Sequence, residues 1–176
     1  MTKQEIISLL TEKHKSFLSV FPSLNKDQFT TSVNGKWSPA QQLDHIIRAV
    51  APVELAFRLP RFISKLMFGK ANRPSRSYED LVDKYHSKLA MGGRASGRFI
   101  PKGFLFEDRE KTIARLLNLV QKLNRYVEQT TEDDLDFYLL PHPLLGKLTW
   151  REMLYFTAYH AEHHEKAIVK NLNGGI

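Results

Sequence analysis

Three times along the chain, a hydroxyl side chain is followed three residues later by a glutamate or glutamine, and an apolar run at helical spacing comes next. The pairs are Thr2 with Glu5, Ser38 with Gln41 and Thr149 with Glu152. Such a capping box serves a helix start from both sides: the hydroxyl takes a free amide of the first turn, and the longer side chain reaches back. Pro39 strengthens the second box, because a proline at the first helical position forfeits only a hydrogen bond that the helix could not make. Strand signals are nearly missing.

Behind Thr2, the residues Ile6, Leu10, Phe17 and Phe21 form one apolar line that Pro22 stops. Behind Ser38 come Leu43, Ile46, Ile47, Val50 and Phe57, with Pro52 placed to kink the helix and Pro60 to end it. A third stripe runs through Ile113, Leu116, Leu117, Val120, Leu123 and Val127, which predicts a helix from about 107 to 130. The fourth runs from Thr149 to the Gly174–Gly175 tail. Each rod is roughly 30–36 Å long at 1.5 Å per residue. Four amphipathic rods of matched length bury their stripes best against one another.

Between the second and third rods lies a segment too long for a tight turn. It holds Ser77, Leu81, Tyr85 and Leu89 at the spacing of a short helix, which Gly92 and Gly93 end. The expected fold is therefore all-α: a four-helix bundle with a long crossover between helices 2 and 3 that carries a short extra helix. The 176 residues are read as a single domain.

Charge is concentrated in that crossover. Residues 58–102 hold eleven basic and three acidic side chains, whereas the rest of the chain sums to −1 out of a total of +7. Long loops carry solvated basic residues without needing a partner, so the segment reads as a solvated face rather than a nucleic-acid surface. A narrower use is open to Arg73, Arg76, Arg94 and Arg98, which would border a cleft and attract an anionic substrate. No stretch approaches the length and apolarity of a membrane span, and the acidic N-terminus does not look like a signal peptide. A cytoplasmic protein with no membrane partner is expected. Cysteine is absent, which excludes a disulfide scaffold, cysteine-ligated metal and a catalytic thiol of the chain's own.

The sequence Tyr159-His160-Ala161-Glu162-His163-His164 carries the clearest chemistry. His160 and His164, four apart, leave the same helix face one turn from each other and can share a metal ion. They can equally be two half-buried histidines bonded to neighbours. His163 points about 100° away from His164. A zincin peptidase is excluded, because Ala161 stands where its glutamate general base belongs. A di-iron carboxylate bundle is excluded too, because no glutamate has a histidine three residues later. His45, on the second rod, lies off the main stripe in line with Ala49, Pro52 and Ala56, small residues that would admit a close helix. Wheel geometry leaves it between surface and cleft. His14 and His86 read as surface residues, and Trp37 and Trp150 as packing anchors.

Two segments carry a resemblance. Gly35-Lys-Trp37-Ser38-Pro39-Ala40-Gln-Gln-Leu43-Asp-His45-Ile46 resembles the second-helix signature of the DinB-like family of four-helix-bundle metalloenzymes. His142-Pro143-Leu-Leu-Gly146, followed by Trp150, His160 and His164, is similar to that family's "HP-x-x-G" loop and final histidine helix. The resemblance implies that His45, His160 and His164 bind a divalent metal, nickel or zinc, with positions left open for water or substrate. It also implies hydrolysis, or transfer to a low-molecular-weight thiol that arrives as cosubstrate, and a homodimer. A non-catalytic metal-binding or stress-response module is the alternative. His142 belongs either to the cleft mouth or to the shaping of its loop; with Arg94 and Arg98 it completes the expected substrate-binding set. Asp44, Glu162 and Glu165 are near the histidines in sequence, but their directions do not converge, so no general base is assigned.

Overall fold

The computed structural model describes residues 1–174. Four long helices form the bundle: α1 (Lys3–Ser19), α3 (Pro39–Arg58), α6 (Arg109–Glu128) and α8 (Trp150–Asn173). Short α2 (Lys26–Thr30) and α7 (Glu132–Phe137) precede α3 and follow α6, respectively. The crossover carries α4 (Arg61–Phe68) and the expected extra helix α5 (Tyr78–Ala90). The three capping boxes form as read, with both of their hydrogen bonds present. Gly174 caps α8, while Gly175 lies outside the described residues.

α1 packs on α8 and α6, and α3 packs on α6 and α8, so α1 and α3 face each other across the bundle diagonal. The apolar stripes meet in one core, in which Leu10, Phe17, Leu43, Ile47, Leu116, Leu123 and Trp150 are almost wholly buried. Each such side chain contributes about 1.5–3 kcal/mol relative to its exposed state. α3 continues through Pro52 to Arg58, and the chain turns only at Leu59 and Pro60.

Several expectations need correction. His14 is 1% exposed rather than on the surface: it continues the buried line of Ile6 and Leu10, and its Nδ1 donates to the Leu10 carbonyl at 2.8 Å. Leu117 lies at the exposed edge of its stripe, because α6 turns its Leu116–Val120–Leu123 line inward. The segment ahead of α8 is a hairpin rather than a plain loop. In it β1 (Leu139–His142) pairs antiparallel with β2 (Gly146–Thr149), and Gly146 closes the turn at φ +76°, where a side chain would be strained.

Arg73 and Arg76 do not border the cleft that Arg94 and Arg98 line. Both donate to the wholly buried carboxylate of Glu152, Arg73 through two nitrogens at 2.6 and 2.8 Å and Arg76 at 3.0 Å. One side chain therefore caps α8 and straps the crossover to its first turn. Burial would raise the Glu152 pKa, but Arg73, the Arg76 amide and the Thr149 amide outweigh it and hold the carboxyl below its usual range. A second clamp lies at the far end of the crossover. Asp44 accepts from the amides of Lys102 and Gly103 at 2.7 and 3.2 Å and from Arg48 at 2.8 Å.

Candidate metal centre

α3 delivers His45 to the interior face of the bundle seven residues after its Ser38 cap, and α8 delivers His160 and His164 one turn apart. All three are buried. The Nε2 atom of His160 lies 3.2 Å from Nε2 of His45 and 3.1 Å from Nε2 of His164. The ligand atoms of the three rings fall within 4.8 Å of one another.

Their outer nitrogens decide what the inner ones offer. Nδ1 of His45 lies 2.7 Å from the Phe99 carbonyl, which can only accept, so Nδ1 carries the proton and Nε2 a bare lone pair. Gln42 donates its amide nitrogen to the Trp37 carbonyl at 3.2 Å, which turns Oε1 toward His164 Nδ1 at 2.9 Å. His164 is therefore also protonated on Nδ1 and bare on Nε2, an assignment made from the partners rather than from hydrogens. Two lone pairs thus converge on His160, whose single Nε2 proton could satisfy only one of them. A shared cation resolves the conflict. Two nitrogens about 2.05 Å from one ion are separated by about 2.9 Å at a right angle and about 3.3 Å at a tetrahedral angle, which brackets both measured separations. The residues fit a divalent ion.

Electrostatics agree. Burial, with neighbouring imidazoles adding to it, pushes the His160 and His164 pKa values well below the ordinary range. Burial also lowers that of His45, despite the opposing Phe99 hydrogen bond and the Asp44 charge. The rings are neutral at physiological pH, the form that binds metal. Among the described residues no carboxylate joins them. Asp44 is committed to the crossover, Glu162 pairs with Lys13 at 2.7 Å and with Lys166, and Glu165 accepts from Ser16 at 2.7 Å.

Above the imidazoles lies a cleft of about 710 Å³. Ala49, Pro52 and Ala56 form part of its wall, so the small residues expected to admit a helix instead leave room for a ligand. Trp37 stacks on His164 at 6.1 Å and Phe156 on His160 at 4.8 Å, which fixes both rings. Trp150 is the packing anchor expected, held between Phe57 and Tyr138. Arg94, Arg98, His142 and His163 also line the cleft, and the two arginines are exposed. His86, exposed as read, bonds the Tyr159 hydroxyl through Nε2. Sequence reasoning missed Gln42 and Phe99. Gln42 stands one helical turn before His45 and had a findable signal, whereas a backbone carbonyl such as that of Phe99 leaves none.

A scan against protein families matches the DinB superfamily over residues 9–168. The chain belongs to the DinB superfamily. A search of curated proteins finds no match. Two solved structures share the fold seen here. YfiT from Bacillus subtilis, described as a probable metal-dependent hydrolase with an unusual four-helix bundle topology, has a TM-score of 0.65 at 18% identity. That alignment covers 98% of this chain and 87% of YfiT. TT2238, described as a four-helix bundle protein, has a TM-score of 0.57 at 17% identity, with 96% of this chain and 98% of that one covered. At such identities the likeness establishes the four-helix-bundle fold.

Proposed function

We propose that His45, His160 and His164 hold one divalent cation, zinc or nickel, and that the protein is a metal-dependent hydrolase of small molecules. The single observation that carries this reading is the pair of bare Nε2 lone pairs on His45 and His164, fixed by Phe99 and Gln42 and aimed at His160. YfiT, whose description names metal-dependent hydrolysis, supports it as a relative in fold.

When bound at three imidazoles, such a cation supplies Lewis acidity and open coordination positions at neutral pH. The chain's own residues do the rest. Phe99 and Gln42 hold the tautomers, and Trp37 and Phe156 hold the ring planes. The apolar wall at Ala49, Pro52 and Ala56 takes the body of a substrate, and Arg94 and Arg98 at the rim draw in an anionic group. Transfer to a low-molecular-weight thiol is the second reading. In that reading the sulfur comes from an added cosubstrate, since the chain has no cysteine of its own.

Elemental analysis of untagged protein tests the first step and should return about one zinc or nickel per chain. Ester and amide hydrolysis with and without a chelator, then with an added thiol, separates the two reactions. Protein that retains no divalent metal after dialysis against zinc or nickel would overturn both.

A further inference from the structure

His142 closes β1, and Pro143 behind it starts the turn to Gly146. Proline and the turn geometry leave the amides of Leu144 and Leu145 without backbone partners in the ladder, and both donate to His142 Nδ1 at 3.1 Å. An imidazole nitrogen that accepts two N–H groups carries no proton, so the neutral ring must be protonated on Nε2. This tautomer is the reverse of the one held at His45 and His164.

The consequences are chemical. His142 cannot serve as a ligand or base through Nε2, because that would require moving its proton to a nitrogen that already faces two donors. It can only donate. Its ring lines the cleft and meets Phe156 edge-to-face at 4.2 Å, and Phe156 in turn stacks on His160. Among the described residues no group accepts from Nε2. Burial, reinforced by the Lys84 charge, lowers the ring's pKa to about 4, so the donor stays neutral across the working range. Lys84 is fixed nearby through the Leu145 carbonyl at 2.9 Å.

We propose that His142 is a substrate-binding residue whose fixed Nε2–H donates to a carbonyl-type oxygen of an amphipathic acyl compound lodged in the cleft. The apolar walls take the acyl chain, and the rim arginines favour an acid over a neutral analogue. The inference deepens the hydrolase reading by naming the substrate class, and it rests on that reading for the cleft's being the reaction site.

The test uses His142→Asn and octanoate. Asparagine's carbonyl oxygen replaces Nδ1 as acceptor for the turn amides, while its shorter NH2 group does not reach the Nε2 position, so the hairpin is kept and the donor at that position is lost. First, the long-range 1H–15N spectrum of the metal-free wild type should show His142 protonated on Nε2 alone between pH 5.5 and 8.5. Protonation on Nδ1, or a ring titrating near 6.5, would overturn the proposal. Second, octanoate binding to zinc-loaded protein should weaken about tenfold in His142→Asn, with zinc stoichiometry unchanged. Equal affinity in the two proteins, or no octanoate binding to the wild type, would also overturn it. If zinc itself fails to bind, the hydrolase reading falls. The spectrum and octanoate titrations of metal-free protein then decide the role of His142 separately.

Discussion

His45 and His160 stand 115 residues apart in the chain, yet their Nε2 atoms lie 3.2 Å from each other. Among the described residues neither has a carboxylate partner, and both rings are neutral and buried. In the proposed metal centre both nitrogens would face one cation. His160→Ala removes the nitrogen that both lone pairs face, so zinc or nickel affinity should fall at least 100-fold while helical content is kept. Calorimetric titration of untagged protein, read beside circular dichroism, checks this outcome. Undiminished binding would show that the three imidazoles do not act as a set.

Gln42 would act on the proposed metal through His164, whose Nδ1 it holds at 2.9 Å. Gln42→Leu leaves the ring without its Nδ1 acceptor and frees it to change tautomer. Loss of such an outer partner typically costs about 10–100-fold in metal affinity. Competition against a chromophoric chelator measures it. A Gln42→Glu variant, which restores an acceptor, should recover most of the loss.

Glu152 is the point where the crossover meets α8. Glu152→Ala removes the carboxylate that Arg73 and Arg76 share and half of the α8 capping box; since both arginines stay about one-third exposed, the loss should be about 1.5–3 kcal/mol. Urea unfolding reads the loss. Because the folded pKa of Glu152 is lowered, its contribution is present above the pKa of an unfolded glutamate and fades as pH falls through the folded value.

His14 makes the protein acid-sensitive in a different window. Burial lowers its pKa to about 4, so between about 6.5 and 4 the unfolded chain binds a proton that the folded chain refuses. Stability attributable to this residue should therefore fall as pH drops through that interval, by about 3 kcal/mol at most at 1.4 kcal/mol per pKa unit. The difference in urea midpoint between wild type and His14→Leu, followed from pH 7.5 to 4, isolates it from the histidines of the cleft. A difference that does not vary with pH would contradict the assignment.

Arg94 lies on the cleft rim and is exposed. Arg94→Glu should raise KM for an anionic substrate several-fold, more at low salt than at high, and leave kcat nearly unchanged. Steady-state kinetics at two ionic strengths distinguishes this steering from a contact made in the transition state.

What could be read from the chain divides by range. The caps at Thr2, Ser38, Ser77 and Thr149 are local chemistry, so α1, α3, α5 and α8 emerge from sequence with boundaries close to those observed, while α6, which has no side-chain cap, emerges from its apolar stripe alone. The His160–His164 pair is likewise local. His45 is different: the wheel could not place it, because its direction matters only once the crossover folds back and Phe99 offers a carbonyl. The arginines of the crossover divide for the same reason, Arg73 and Arg76 going to a carboxylate 79 and 76 residues away and Arg94 and Arg98 going to the rim. His14 was legible and misread: it sits four residues after Leu10 and three before Phe17, squarely on the inward line. The short α4 escapes pattern reading because its apolar residues point outward, with Phe62 and Leu66 exposed and Ser64 buried.

The two clamps on the crossover set the order in which this molecule can be assembled. Asp44 and Glu152 tie the loop to α3 and α8 with protein groups alone, and the loop in turn supplies the carbonyl that aims His45. The proposed cation would therefore arrive at a finished cradle instead of organising one, the opposite of a zinc finger, whose fold waits for its ion. Stripped of metal by a chelator, the chain should keep its tertiary structure and its unfolding cooperativity, ready to be recharged without refolding.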